Sequence, residues 1–211
     1  VQPARGAGYR VNVDALLLAD FARGRRRARV AFDLGAGVGG VSLALLFADA
    51  VDRAVLVEID SAAAALAERN VVANGWNERA EVVCADVRDA ARDRRGEADL
   101  VVCNPPYTEP GRGRAPAPSR ALARCGSLGV FVEAARAIAG RRARVCFVYP
   151  ANEALTLFES LRAVGLEPKR ARYVHSDAKT PARVVLVEAR PAKRGGLVVE
   201  GPVVERAPHD A

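Results

Sequence analysis

Short β-branched runs alternate with Ala/Leu-rich stretches along most of the chain. Arg29–Leu34, Ala54–Glu58, Ala80–Cys84, Asp99–Cys103 and Ala143–Tyr149 read as strands. Val41–Ala48, Ser61–Asn74, Asp86–Asp93, Leu128–Ala139 and Asn152–Val164 read as helices. This βαβ rhythm predicts an α/β fold with a mostly parallel sheet. The strands are continuous apolar runs rather than alternating ones, as a sheet covered on both faces requires. Ser61 is the expected N-cap of its helix and Asn74-Gly75 its stop. The rhythm then changes. Arg170–His175 and Ala182–Ala189 are strand-like with only the polar turn Ser176–Pro181 between them, which predicts an antiparallel hairpin closing a seven-stranded sheet. Leu197–Val199 is a candidate for a last short strand, and Glu205–Ala211 reads as a frayed end.

With 211 residues, 50% hydrophobic and 27% charged, the composition excludes a disordered chain, a collagen-like repeat and a membrane bundle. The length predicts a single domain, spanning 1–211. It divides into a lead-in helix and connector over 1–28, a core over 29–190 and a C-terminal extension over 191–211. No apolar run reaches a membrane span and no signal peptide is evident, so the expected compartment is cytoplasmic. The four cysteines form no C-x-x-C pair, and neither His175 nor His209 stands at ligand spacing, so no metal site is expected. Cys84, Cys103 and Cys146 sit in apolar runs and read as buried free thiols. A monomer is favoured. The chain has no methionine, even at position 1, so a short N-terminal piece is expected to precede Val1. Net charge is +7, carried mostly by arginine. That suits a polyanionic partner, but a general Arg/Ala excess produces it equally well.

The first strand runs into Asp33-Leu-Gly35-Ala-Gly37-Val-Gly39-Gly40, followed by a helix. Glycines there allow positive φ and close approach of backbone to a ligand. Gly35, Gly37 and Gly40 fit G-x-G-x-x-G, so a dinucleotide remains a reading of this loop alone. Three acids narrow it: Asp33 before the glycines, Glu58 at the end of the second strand, and Asp86 after the third. Each alone reads as a cap or a solvated residue. At successive strand ends they converge on one crevice, where open α/β sheets bind ligands.

The fourth strand runs directly into Asn104-Pro105-Pro106-Tyr107. One reading is a proline turn that merely ends a strand. The chemical reading is stronger. An amine conjugated to a ring or carbonyl is a poor nucleophile because its lone pair is delocalised. The Asn104 side-chain oxygen and the Pro105 carbonyl can accept both of its N–H bonds, freeing the nitrogen to rehybridise toward a methyl donor. Pro105 and Pro106 stiffen the turn, and Tyr107 offers a face for stacking a planar target. Positioning, rather than a tuned general base, supplies most of such catalysis.

The glycine loop and the three acids resemble those of class I S-adenosylmethionine-dependent methyltransferases, over Arg29–Ala189. The resemblance implies a Rossmann-like fold. It implies that Gly35 and Gly37 approach the methionine and ribose of S-adenosyl-L-methionine. Glu58 would accept from the ribose hydroxyls, and Asp86 would face the adenine amine with Val87 packed nearby. Asp33 would hold the loop and the ammonium end, and Asn104 would border cofactor and target. Asn-Pro-Pro-Tyr resembles the signature of amino methyltransferases acting on adenine N6 or on a release-factor glutamine.

The lead-in Gln2-Pro3, Gly8-Tyr9-Arg10 and Asp14-Ala-Leu-Leu-Leu18 is similar to that of bacterial adenine-N6 methyltransferases of a valine tRNA. So are Pro118–Arg124 and the ending from Gly165 through Glu188. This implies an RNA substrate, a tRNA modified beside the anticodon, with Tyr9, Arg10 and Asp14 lining the pocket. The alternative for Asp14 is a helix cap, with Leu16–Leu18 packing that helix on the sheet. Arg112, Arg114, Arg120 and Arg124, in and after the Pro/Gly-rich stretch 108–119, are candidate phosphate contacts. Two rivals keep the reaction type: a protein-glutamine methyltransferase, which carries a helical domain ahead of the fold, and a guanine-N2 rRNA methyltransferase. Two others are a non-catalytic RNA-binding module and an NAD-dependent dehydrogenase, which leaves Asn104–Tyr107 unexplained.

Overall fold

The computed structural model describes residues 13–24, 26–106 and 128–205. Helix α1 (Val13–Ala22) leads into β1 (Ala28–Leu34), α2 (Gly40–Phe47), β2 (Val51–Glu58), α3 (Ser61–Ala73) and β3 (Ala80–Cys84). Then follow α4 (Val87–Asp93), β4 (Ala98–Cys103), α5 (Leu128–Ile138), β5 (Ala139–Pro150) and α6 (Ala154–Ala163). The chain closes with β6 (Glu167–His175), β7 (Ala182–Arg190) and the two-residue strands β8 (Val198–Val199) and β9 (Val203–Val204). The sheet order is β3-β2-β1-β4-β5-β7-β6-β8, with β9 also on β6. β1 to β5 are parallel, and β7 runs antiparallel between β5 and β6. The seven expected strands are all present, and β8 and β9 lengthen the sheet to nine.

Period-two side-chain alternation divides each strand between two cores. Val55 and Val57 face a core closed by α4, α5 and α6, with Phe131, Ile138, Leu157 and Leu161. Ala54 and Leu56 face the other, closed by α1 and α2 through Leu18, Phe21, Leu45 and Leu46, with Ala67 of α3. All four strand residues are fully buried, which is why the sequence shows unbroken apolar runs.

Local expectations shift in five places. The N-cap of α3 is Asp60, which accepts from Ala62 N at 2.9 Å and Ala63 N at 3.3 Å, while Ser61 is the first helical residue. Strand β2 starts at Val51, because Asp52 and Arg53 take solvent-side ion pairs without leaving the ladder. Strand β5 starts at Ala139 and absorbs a bulge against β4 before the apolar run begins. Leu16 is 54% exposed, so only Leu17 and Leu18 of that triplet turn toward the core. Cys84 ends the edge strand β3 and is exposed, unlike the buried Cys103 and Cys146.

Ion pairs seat α1 on the C-terminal hairpin. Asp14 in its first turn pairs with Arg183 of β7, which also holds Glu205. At its other end, Arg170 of β6 donates to Phe21 O at 3.3 Å and lies 4.3 Å over the Phe21 ring. Because β7 begins beside the end of β5, the start of α1 stands at the carboxyl end of the parallel strands. No helix among the described residues is long and apolar enough to cross a membrane.

Candidate active site

Four strand ends meet in register. Leu34 pairs with both Val57 and Cys103, and Glu58 pairs with Cys84. The residues that follow the strands therefore stand side by side: the glycine loop after β1, Ile59 after β2, Ala85-Asp86 after β3 and Asn104 after β4. Backbone bonds tie the ends together. Gly35 N and Ala36 N donate to Val57 O at 2.9 and 3.0 Å, and Ala85 N to Glu58 O at 3.0 Å.

The loop needs glycine where φ is positive: +72° at Gly35, +56° at Gly37 and +88° at Gly39. Gly39, not Gly40, is the third of these; it caps α2, and Gly40 is already helical. A Cβ at Gly35 would stand 3.1 Å from the Phe131 ring on α5. Asp33 is buried beneath the loop and accepts from Ser42 N at 3.2 Å and Ser42 Oγ at 2.9 Å, tying β1 to the first turn of α2. Burial pushes its carboxyl up to about 6, against the opposing Ser42 bonds.

Glu58 joins two segments. One carboxylate oxygen accepts Gly37 N at 2.7 Å and the other Asp60 N at 2.8 Å. Burial raises its pKa and those two amides hold it down. Each oxygen has a further lone pair for a ligand hydroxyl. Asp86 is the N-cap of α4, accepting from Arg88 N at 2.8 Å, and it also pairs with the Arg88 guanidinium at 2.7 Å. Those contacts hold its carboxyl below the usual range. Val87 is buried in the core under α4. Asn104 and Pro106 are half-buried and Pro105 is buried. Beneath them the Cys103 thiol donates to Leu34 O at 3.3 Å, and burial raises its pKa well above the ordinary value.

The structure thus brings together Asp33, Gly35, Gly37, Glu58, Asp86, Val87, Asn104, Pro105 and Pro106 at one end of the sheet. Tyr107, Tyr9, Arg10, Arg112, Arg114, Arg120 and Arg124 lie outside the described residues. Four contributors escaped the sequence reading. Phe131 is nearly a hundred residues from the loop it supports. Asn70 of α3 donates to Val38 O at 3.0 Å and braces the same loop. Ser42 carried a usable signal, as a hydroxyl in the first turn of an otherwise apolar helix. Ile59 carried another, as an apolar residue between two acids; it is 43% exposed beside Glu58.

The site fits a small cofactor with a sugar and an adenine. Three glycines keep its loop open to close approach, a carboxylate with spare acceptors follows, and the exposed apolar side chain of Ile59 stands next to it. Among the described residues, no cluster of His, Cys, Asp and Glu could hold a metal ion.

The sequence model of the methyltransferase small domain matches residues 12–124, from α1 through the segment after Asn104. The chain belongs to this family. It is 34% identical over 205 residues to a tRNA1(Val) (adenine(37)-N6)-methyltransferase of Enterobacter sp. (strain 638), covering 92% of this chain and 81% of that protein. In fold it matches a crystal structure described as a predicted O-methyltransferase from Agrobacterium tumefaciens, with a TM-score of 0.73 at 21% identity over 91% of this chain and 87% of that one. It also matches the M1A22 tRNA methyltransferase TrmK of B. subtilis, with a TM-score of 0.63 at 17% identity, over 88% of this chain and 68% of that one. The Rossmann-like methyltransferase fold and methyl-transfer activity follow from family membership. A nicotinamide-dependent dehydrogenase and a non-catalytic module lose their footing.

Proposed function

We propose that this chain methylates N6 of an adenine in tRNA, beside the anticodon, with S-adenosylmethionine as donor. One observation carries the reading: Asn104-Pro105-Pro106 begins one residue beyond the Leu34–Cys103 pair, next to the glycine loop. An amine held at Asn104 therefore sits beside whatever the loop holds. The similarity to an adenine(37)-N6-methyltransferase over 92% of the chain supports adenine as the base and tRNA as its carrier.

When bound, S-adenosylmethionine supplies an electrophilic methyl on a sulfonium. Gly35 and Gly37 would admit its methionine and ribose, Glu58 would accept from the ribose hydroxyls, and Asp86 and Ile59 would flank the adenine. Asp33 acts through the loop, by fixing Ser42 and the start of α2. The Asn104 side-chain oxygen and the Pro105 carbonyl accept the two N–H bonds of the target amine. They would turn its lone pair toward the sulfonium methyl and stabilise the positive charge the nitrogen gains as the N–C bond forms and the C–S bond breaks, with S-adenosylhomocysteine as the leaving group. The amine proton then passes to water. Tyr107 stacks on the unpaired base. Tyr9, Arg10 and the arginines 112, 114, 120 and 124 hold the RNA around it, with arginine on phosphate. The enzyme works in the cytoplasm, where tRNA is modified.

The test is tritium-labelled S-adenosylmethionine with total tRNA lacking its native modification, followed by nucleoside mass spectrometry. Label in N6-methyladenosine is expected. Label confined to a release factor offered under the same conditions would overturn the RNA reading in favour of protein glutamine.

A further inference from the structure

Most arginines of the described surface are held in ion pairs. Arg27 binds Asp49, Arg79 binds Asp49, and Arg94 binds Glu81 and Glu97. One group is not. Arg95, Arg136, Arg141 and Arg142 are all exposed, and none takes part in an ion pair among the described residues. They lie together at the amino end of the parallel strands, opposite Glu58 and Asn104.

Backbone contacts place them there. Gly96 N donates to Ala137 O at 2.9 Å, joining the turn that carries Arg95 to the end of α5 that carries Arg136. Ala98 pairs with Ala139, but the next pair is Leu100 with Arg144, so β5 holds surplus residues in a bulge. Those residues are Gly140, Arg141 and Arg142. A bulge re-aims side chains out of the ladder. Glycine suits this one, because a Cβ at Gly140 would stand 3.0 Å from Ala98 O and 3.1 Å from Gly96 O, closer than ordinary van der Waals contact. Two adjacent arginines thus reach solvent from a bulge whose preceding position is tight for any side chain.

The nearby acids leave these cations unneutralised. Asp99 is taken by Arg29, and Glu97 by Arg94. Asp93 and Glu133 are exposed but bridge to none of the four. The row continues along the rim with Arg26 before β1, and with Lys193 and Arg194 after β7, all exposed and outside any described ion pair. Adjacent strands are ~4.8 Å apart, so the rim presents a line of positive charge across several strands. Such a line matches a nucleic-acid backbone, which rewards repeated cations without reading bases.

We infer that this rim, centred on the Arg141–Arg142 bulge, is a second contact for the RNA backbone, remote from the methylating end. The inference rests on the tRNA reading of the site. The rim lies ~17 Å from Asn104 along β4. That distance is about five base pairs at ~3.4 Å each, so an RNA with a helical arm beyond the target loop can reach it.

The test compares wild type with Arg141→Ala/Arg142→Ala, both exposed positions, on unmodified full-length tRNA. Filter binding across a salt series is read alongside methylation. The double variant should bind full-length tRNA about tenfold more weakly, with the salt slope reduced by about 2. The methylation rate at saturating tRNA, S-adenosylmethionine affinity and Tm should be unchanged. Arg141→Lys/Arg142→Lys should retain most of the affinity, since phosphate accepts either cation. An unchanged tRNA affinity and slope in the alanine variant would overturn the inference, as would an equal fall in the methylation rate at saturating tRNA. Wild type that binds tRNA through this rim without methylating it would leave the rim contact standing and remove the proposed reaction instead.

Discussion

The Glu58 carboxylate accepts the Gly37 amide at 2.7 Å, so the acid ending β2 and the loop after β1 form one unit. Removing the carboxylate acts twice, by deleting the ribose acceptor and releasing the loop. Glu58→Ala should weaken S-adenosylmethionine binding roughly 10- to 100-fold, the range for hydrogen bonds to a charged group. Titration calorimetry with the cofactor product, S-adenosylhomocysteine, checks this. An unchanged affinity would remove Glu58 from the ribose.

Asn104 follows the buried Cys103 and is fixed by the prolines after it. Its proposed work is done on the target amine, so its loss should appear in turnover. Asn104→Ala should lower kcat at least 10²-fold, as deleting one aimed polar group in an active site does. Cofactor affinity should stay within about twofold. Near-normal turnover would refute the amine clamp.

Gly39 caps α2 at φ +88°, and a Cβ there would stand 2.9 Å from Leu56 Cδ2, which is fully buried. Gly39→Ala combines left-handed strain with a clash against the sheet. It should cost about 2 kcal/mol in urea denaturation. Loss of less than about 0.5 kcal/mol would mean the loop can be re-formed without this glycine.

That glycine also marks how far the sequence could be read. The strand runs, the closing hairpin and the row of strand-end acids were legible because periodicity and spacing are local. Which glycine takes positive φ was not: G-x-G-x-x-G selects Gly40, whereas the turn geometry selects Gly39. Asp60 and Ser61 are both good caps, and only the backbone angle at Asp60 decides between them. Leu16–Leu18 is uniformly apolar, so nothing in it marks Leu16 as the one facing water. Phe131 under Gly35 and the seating of α1 by Arg183 are contacts between distant segments, and no local pattern encodes them.

Asp33 gives a pH signature. Its folded pKa is about 6, raised from an ordinary value of 3.8 mainly by burial. The folded state therefore binds a proton more tightly than the unfolded chain. The stability from this group is fully present below about pH 4 and is lost as pH rises through 6. Asp33→Asn removes the titration while keeping an acceptor for Ser42. Relative to that variant, wild type should lose about 2–3 kcal/mol between pH 4 and pH 7. A difference that stays flat over that window would mean the carboxyl titrates normally.

Glu188 on β7 is fully buried between arginines from three strands. It accepts from Arg170 at 2.8 Å and pairs with Arg190 at 2.6 Å, and Arg144 stands 3.7 Å away while donating to Ala22 O. The cluster lies on the α1 face of the sheet, in register with Val102 through Cys146, and anchors the end of α1. Glu188→Ala would strand positive charge at a dry junction. Loss of one partner from a buried ion pair costs about 3–5 kcal/mol. The lower end applies here, because Arg170 and Arg190 are partly exposed and Arg170 also holds Glu200. The variant should therefore unfold at lower urea by about 3 kcal/mol, with S-adenosylhomocysteine affinity unchanged at temperatures where it is folded. A matching fall in cofactor affinity would instead show that the α1 anchor reaches through the sheet to the glycine loop.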